Sequence, residues 1–136
     1  MPVNTSEVTY LGGLRTRAIH LKSGNEILTD APVDNQGKGE AFSPTDLLAT
    51  SLLSCMLTII GIQAQNRNLM IGNVSGTVRK IMAENPRRVA RIEISILFEN
   101  HHLELEHQRQ LEHAALNCPV AKSLDPKIEQ VVKLNF

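Results

Sequence analysis

The stretch SPTDLLATSLLSCMLTIIGIQAQN, residues 43–66, decides the fold. Ser43 suits a helix N-cap, Pro44 suits the first helical position, and Asp46 stands where a capping box places its acid. Apolar residues then recur at helical spacing and widen to most of the circumference, at Leu47, Leu48, Ala49, Leu52, Leu53, Met56, Ile59, Ile60 and Ile62. A helix with so broad an apolar surface is buried on nearly all sides. The pattern predicts a central core helix that ends near residues 66–68.

The segment before this helix favours extended structure. Residues 7–21 are expected to form two short strands on either side of a Gly12-Gly13 turn, and Glu26–Thr29 is expected to form a third strand. The segment from Asp30 to Phe42 contains Pro32, Asp34, Asn35, Gly37 and Gly39. Because these are turn-forming residues, the sequence predicts a loop there.

The segment after the helix predicts a strand pair. Met70–Met82 and Val89–Phe98 are expected to pair across a turn at residues 84–86. The second strand alternates, with apolar residues on one face at Ile92, Ile94, Ile96 and Phe98, and polar residues on the other at Arg91, Glu93 and Ser95. Such alternation is typical of an antiparallel sheet with one solvated face.

The last part of the chain predicts a helix, a helical turn and a strand. Apolar or bulky residues recur four apart in the second helix, at Leu103, His107, Leu111 and Ala115. Cys118-Pro119 starts a short helical turn, Asp125-Pro126 ends it, and Lys127–Phe136 is a final strand. The order of elements predicts one α+β domain over residues 1–136.

Length and charge narrow the class of protein. The chain has 136 residues, with 14 Lys and Arg against 14 Asp and Glu, so no basic surface indicates a nucleic-acid partner. The chain begins Met1-Pro2-Val3-Asn4, without a charged region followed by an apolar run, so a signal peptide is not expected. The apolar run Leu47–Ile62, interrupted by hydroxyl residues, is expected to be too short and too polar to span a bilayer. We therefore expect a soluble, cytoplasmic protein without a membrane partner.

The two cysteines are the candidates for chemistry. In a reducing compartment they are either inert core residues or a redox pair. Cys55 lies in the middle of the central helix, where it could simply pack. Cys118 precedes Pro119 at the start of a helical turn, where backbone N–H groups are expected to lower a thiol pKa, or where it could serve only as an N-cap.

The histidines are the candidates for a metal site. His101, His102, His107 and His113 lie close together in the sequence. His107 and His113 are six positions apart, which places them on different faces of a helix rather than at the spacing of paired ligands. We therefore expect an exposed helix rich in Glu and His, and no metal or cofactor.

Two motifs resemble one known family. Residues 42–49, FSPTDLLA, are followed by Ser54-Cys55-Met56, and Asn117-Cys118-Pro119-Val120 comes later in the chain. This pattern resembles the OsmC/Ohr family, which comprises osmotically inducible protein C and the organic hydroperoxide resistance proteins. Gly12-Gly13 near Arg15 and the segment Asp30-Ala31-Pro32 are also similar to that family. The resemblance covers nearly the whole chain.

The resemblance implies a fold and an activity. Members are intertwined homodimers in which antiparallel sheets are wrapped around a long central helix. They reduce organic hydroperoxides with a peroxidatic cysteine, here Cys55, which a second cysteine, here Cys118, resolves as a disulfide. A dithiol, typically lipoyl, then restores both thiols. An Arg from the N-terminal sheet and an acid at the start of the central helix accompany the thiol. For the Arg we favour Arg15, with Arg17 as the competitor, since alternation places both on the same strand face.

The acid departs from the hydroperoxide-resistance pattern. There the acid directly follows the proline; here Thr45 holds that place and Asp46 follows one position later. This shift suggests a divergent OsmC-like branch, and capping alone would also explain Asp46. Asp46 and Cys55 are nine residues apart, roughly 13 Å along a helix and on opposite faces. If Asp46 serves the thiol, we expect it to come from the other subunit.

Two further functions compete with a thiol peroxidase. One is a non-catalytic dimer whose apolar crevice holds an acyl chain or small molecule, with Cys55 unreactive. The other is a zinc-binding interaction domain that uses the histidines.

Overall fold

A computed structural model of the protein describes residues 3–136. Its elements run in the order β1 (Ser6–Gly12), β2 (Arg15–His20), β3 (Glu26–Asp30), α1 (Pro44–Arg67), β4 (Asn73–Ala83), β5 (Arg88–Glu99), α2 (Leu105–Leu116), α3 (Pro119–Ser123) and β6 (Glu129–Asn135). The α+β class and the order of the elements are as predicted. The chain forms two compact units, one that ends at Leu47 and one that runs from Leu48 to Phe136. The expectation of a single domain stays a prediction.

The first unit contains the antiparallel sheet β1-β2-β3. The turn between β1 and β2 uses left-handed backbone at Gly12 and Gly13, a conformation that glycine adopts without strain. The third strand runs one residue further than predicted, because Asp30 pairs with Arg15 of β2 rather than opening the loop. Residues 33–35 form a single 3₁₀ turn in the loop that follows.

Helix α1 begins as the sequence predicts. The Ser43 backbone N–H donates to Asp46 Oδ2 at 2.9 Å, and the Asp46 backbone N–H donates to Ser43 Oγ at 3.0 Å. This reciprocal pair is a capping box. The helix then runs for 24 residues to Arg67.

The second unit contains the core, which α1 shares with the sheet β4-β5-β6. The buried face of α1 carries Ala49, Leu52, Leu53, Met56, Ile60 and Ala64. It packs against the predicted apolar face of β5, where Ile92, Ile94, Ile96 and Phe98 are buried. The helix approaches the sheet so closely at Gly76 that an added Cβ would lie 2.9 Å from a methyl group of Leu53.

Two predictions about α1 are wrong. Only 33% of its apolar window is buried, because the sheet covers one side while Leu48 and Ile62 stay exposed. With 24 residues and a mean hydropathy of 1.9, α1 is also long and apolar enough to cross a membrane by length and composition alone. The core helix of a soluble protein passes the same test.

The second sheet also differs from expectation in direction. Strands β4 and β5 are antiparallel, but β6 is parallel to β5, with Ile94 opposite Val132. The segment between β5 and β6 contains α2 and α3, which carry the chain back to the starting end of the sheet. A crossover of this kind is what a parallel pair requires. The prediction of purely antiparallel sheets is therefore wrong for β6.

Candidate thiol site and arginine cluster

The second unit brings the two cysteines together. Cys55 lies on α1, partly buried against the core, and Cys118 is the N-cap residue of α3 with 1% of its surface exposed. Both are free thiols. They lie close enough for Cys55 to act on the protonation of Cys118 by hydrogen bonding and charge. Two residues 63 positions apart in the sequence thus meet at one place in the fold.

The pKa of Cys118 is raised, which corrects the sequence-based expectation. Burial is the largest cause, because it disfavours the charged thiolate, and the neighbouring Cys55 raises the pKa further. The backbone N–H groups of Ala121 and Val120 oppose this and lower the pKa, although neither forms a capping hydrogen bond to the sulfur. The predicted amides are therefore present, but desolvation outweighs them.

The first unit holds Arg15 in a carboxylate cluster. Arg15 Nε donates to Asp30 Oδ1 at 2.7 Å and Nη2 donates to Asp30 Oδ2 at 2.9 Å. Glu40 adds a longer ion pair, with its Oε1 3.5 Å from Arg15 Nη2. The Asp30 carboxylate is 2% exposed and also accepts the Glu40 backbone N–H at 3.0 Å. Bidentate pairs of this kind are among the strongest charge-assisted hydrogen bonds.

The cluster shifts the pKa values of both partners in the expected directions. Hydrogen bonding from Arg15 is the largest cause of the lowered pKa of Asp30, while burial works against it and the Glu40 N–H reinforces it. The hydrogen bond with Asp30 likewise raises the pKa of Arg15. The ion pair therefore stays fully charged around neutral pH.

Asp30 and Glu40 are residues that the sequence reasoning missed. It assigned Asp46 as the acid, whereas the hydrogen bonds and ion pairs of Arg15 among residues 3–136 go to Asp30 and Glu40. The register of the β2–β3 hairpin, which sets Arg15 opposite Asp30, was the available signal. Arg17, the competing arginine, is exposed in the middle of β2. Roles for Arg15, Arg17 and Asp46 in catalysis stay predictions.

His101 contributes to the packing of the second unit. The His101 ring lies edge-on to Phe98 and Phe136, and its Nδ1 accepts the Leu103 backbone N–H at 3.1 Å. Within residues 3–136 no group of three or more His, Cys, Asp or Glu side chains is arranged to hold a metal ion.

The α+β fold and the pair of adjacent free thiols define a class of small proteins with two neighbouring cysteines, and comparison with known proteins gives the family. A family model described as OsmC-like protein matches residues 37–133. The chain therefore belongs to the OsmC-like family, as the two cysteine motifs indicated.

Solved structures agree with this assignment. A protein from Psychrobacter arcticus, provisionally described as an osmotic stress induced and detoxification response protein, is 58% identical, with 99% of this chain and 98% of that chain covered and a TM-score of 0.94. An OsmC-like protein of unknown function from Vibrio cholerae shares the fold at 16% identity, over 98% and 99% of the two chains, with a TM-score of 0.81. An organic hydroperoxide resistance protein OsmC from Legionella pneumophila also shares it at 16% identity, over 100% of both chains, with a TM-score of 0.75. A search of curated proteins gives no match.

Proposed function

We propose that this protein is a thiol peroxidase that reduces organic hydroperoxides, with Cys55 as the nucleophile and Cys118 as the resolving thiol. The observation that carries the proposal is the meeting of Cys55 on α1 with Cys118 at the start of α3. Membership of the OsmC-like family supports it, as does the described role of the Psychrobacter arcticus protein in a detoxification response. A ligand-holding dimer would not need two adjacent thiols, so the peroxidase is favoured over that alternative.

Access and protonation support this choice of roles for the two cysteines. A hydroperoxide must reach the attacking sulfur, and Cys55 is partly exposed whereas Cys118 is buried. The raised pKa of Cys118 keeps its proton on the sulfur near neutral pH. Since the thiolate is the nucleophilic form, Cys118 is a poor first attacker and Cys55 is the better candidate.

The reaction follows in two balanced steps. The Cys55 thiolate attacks the distal oxygen of ROOH, the O–O bond breaks, and the alkoxide leaves as ROH after taking a proton. Cys55 becomes a sulfenic acid, oxidised by two electrons. Cys118 then attacks that sulfur, an S–S bond forms and the hydroxyl leaves as water. The nearby thiol protects Cys55 from further oxidation.

Other groups complete the proposed cycle. An external dithiol, in the lipoyl class, would exchange with the Cys55–Cys118 disulfide, restoring both thiols and leaving as its own cyclic disulfide. Arg15 would stabilise the thiolate and polarise the peroxide. Asp46 caps α1, and we propose that it also serves the Cys55 thiol of the other subunit. Mixing Asp46→Ala and Cys55→Ser chains tests this role, because activity should return in the mixture. Because the cycle requires reduced thiols, we place the protein in the cytoplasm.

We also propose a homodimer, on the basis of uncovered apolar surface in both units. Val8, Ala18 and Ile27 lie opposite one another across the first sheet, and Val8 and Ile27 are 59% and 51% exposed. On α1, Leu48 and Ile62 are exposed as well. Light scattering during gel filtration should give twice the mass of the chain; a mass that stays at one chain over a hundredfold range of concentration would contradict the dimer.

The decisive experiment is mass spectrometry after one equivalent of cumene hydroperoxide. We expect a Cys55–Cys118 disulfide in the wild-type protein and one equivalent of cumyl alcohol. Cys118→Ser should still consume peroxide and accumulate a Cys55 sulfenic acid, trapped with dimedone. Cys55→Ser is the matched control, since it keeps one thiol and should consume none. Retention of both free thiols in the wild type would reject the peroxidase.

A further inference from the structure

A groove of about 400 Å³ lies between the last turns of α1 and one face of α2, within the second unit. Gln63 and Arg67 line it from α1, where they are four positions apart. The side chains that line it from α2 recur at spacings of three and four, which places them on one face of that helix: Glu106, Arg109, Gln110 and His113. Small-molecule sites in proteins enclose about 300 to 1,000 Å³, so the groove is large enough for a ligand.

Arg67 is fixed at this groove by two neutral partners. Its Nε donates to Gln63 Oε1 at 3.1 Å on the same helix, and its Nη1 donates to Gln110 Oε1 at 2.9 Å on α2. Amide oxygens orient a guanidinium without neutralising its charge. The Nη2 group makes no hydrogen bond or ion pair within residues 3–136. An oriented guanidinium with free donors loses little conformational entropy when it binds an anion.

The other charged side chains of the groove have no partners of their own. The side chains of Arg109 and His113 are exposed and make no hydrogen bond or ion pair in the part of the chain that the structure describes. Glu106 lines the same groove but forms an ion pair with neither arginine. Two guanidinium groups therefore face one carboxylate, and the groove has a net positive charge in a chain whose formal charge is zero.

We infer that this groove binds the carboxylate or phosphate group of a small-molecule ligand, with Arg67 and Arg109 as the groups that hold it. The fork of N–H donors on a guanidinium matches the oxygen atoms of either anion. Glu106 repels the anion, so its charge weakens binding. The inference goes beyond the proposed peroxidase, because no residue that lines the groove has a part in that reaction.

The test is an NMR titration of the isotope-labelled, reduced protein with inorganic phosphate and with succinate, at constant ionic strength. We expect saturable shifts of the Arg67 Nε–H signal and of the Gln63 and Gln110 side-chain amides. The probe with the lower Kd identifies the anionic group of the ligand. Arg109→Gln should raise that Kd by about tenfold, the loss expected for one charge-assisted hydrogen bond. Because Arg109 makes no side-chain contact of this kind in the free protein, the variant leaves the hydrogen bonds of the fold intact.

Two further variants separate a binding site from a general effect of charge or folding. Arg79→Gln is the matched control, since it removes the same charge from an exposed side chain on β4 that does not line the groove, and its Kd should equal that of the wild type. Glu106→Gln should lower the Kd by about twofold to fivefold, because it removes the repulsion from an exposed charge. A damaged fold would not tighten binding.

Three results would overturn the inference. Shifts that rise without saturation for both probes would mean that the ions only screen surface charge. Equal losses of affinity in Arg79→Gln and Arg109→Gln would assign binding to the total charge of the protein. An unchanged or higher Kd in Glu106→Gln would mean that the anion binds elsewhere. Each of these results leaves the proposed peroxidase untouched, since that activity is measured at Cys55.

Discussion

Oxidation of the thiol pair should stabilise the protein by an amount that follows from the fold. A disulfide between Cys55 and Cys118 would close a loop whose ends are 63 positions apart. The loop contains β4, β5 and α2, so the crosslink restricts nearly half of the unfolded chain. Loop-closure entropy predicts a gain of about 4 kcal/mol in the free energy of unfolding for a loop of this size. The gain is this large only if the disulfide forms without strain.

Urea unfolding with and without dithiothreitol measures the gain. With an m-value of about 2 kcal/mol/M, the oxidised protein should have a midpoint about 2 M higher than the reduced protein. Both samples need the same protein concentration, since subunit association would also change the apparent stability. Protein oxidised with diamide is the control, because the same disulfide must give the same midpoint whichever oxidant made it.

Two results would contradict this reasoning. An unchanged or lower midpoint for protein with a confirmed Cys55–Cys118 disulfide would mean that the folded state holds the bond under strain. An equal rise in Cys55→Ser treated in the same way would mean that oxidation elsewhere causes the effect. The first result would count against Cys118 as an efficient resolving residue, because formation of the disulfide would then oppose the fold.

Three further predictions concern the second unit and the helix start. Cys118→Ala should remove a loss of stability at alkaline pH, because the raised pKa of Cys118 lets the native state keep a proton that the unfolded state releases above about pH 8.5. Between that pH and the raised pKa, the free energy of unfolding of the wild type should fall by up to about 1.4 kcal/mol per pH unit more than that of the variant. Urea unfolding of the reduced proteins measures this difference. Leu52→Ala should lower the free energy of unfolding by about 3 kcal/mol or more, because Leu52 is fully buried. Leu105→Ala is the control and should lower it little, because Leu105 is 60% exposed. Comparable losses for the two variants in chemical unfolding would refute the packing of α1 on the sheet. Ser43→Ala should lower the free energy of unfolding by about 1 kcal/mol, because it removes the capping box at the start of α1. An unchanged thermal midpoint of the variant would contradict this prediction.

Local sequence signals were enough for the features that depend on near neighbours. The start of α1 was predictable because Ser43, Pro44 and Asp46 lie within four positions and make their contacts with each other. The buried face of β5 was predictable because alternation alone assigns residues to the two faces of a strand. In both cases the interaction that fixes the structure lies inside the window that carries the pattern.

The failures concern quantities that depend on distant parts of the chain. The direction of β6 depends on the crossover through α2 and α3, which no pattern within the strand reveals. The one-sided burial of α1 depends on what covers it, not on its own composition. Asp30 was assigned to a loop because its neighbours are turn formers, whereas its partner is set by strand register. The predicted direction of the Cys118 pKa shift was wrong, because the sequence shows the neighbouring backbone N–H groups of Val120 and Ala121 but not the burial of the thiol by distant parts of the chain.

The opposing influences on Cys118 are consistent with an order of events in the proposed reaction. While Cys55 is a thiolate, its charge is one of the causes that raise the pKa of Cys118, so the resolving thiol stays protonated and does not compete for peroxide. Attack on the peroxide converts that thiolate to a neutral sulfenic acid, which removes the charge. The N–H groups of Ala121 and Val120 remain and still favour the Cys118 thiolate. The same step that creates the target for Cys118 thus removes one of the smaller causes of its raised pKa, while burial, the largest cause, remains. Trapping of the sulfenic acid in wild-type protein should be weaker than in Cys118→Ser, since the adjacent Cys118 consumes the intermediate.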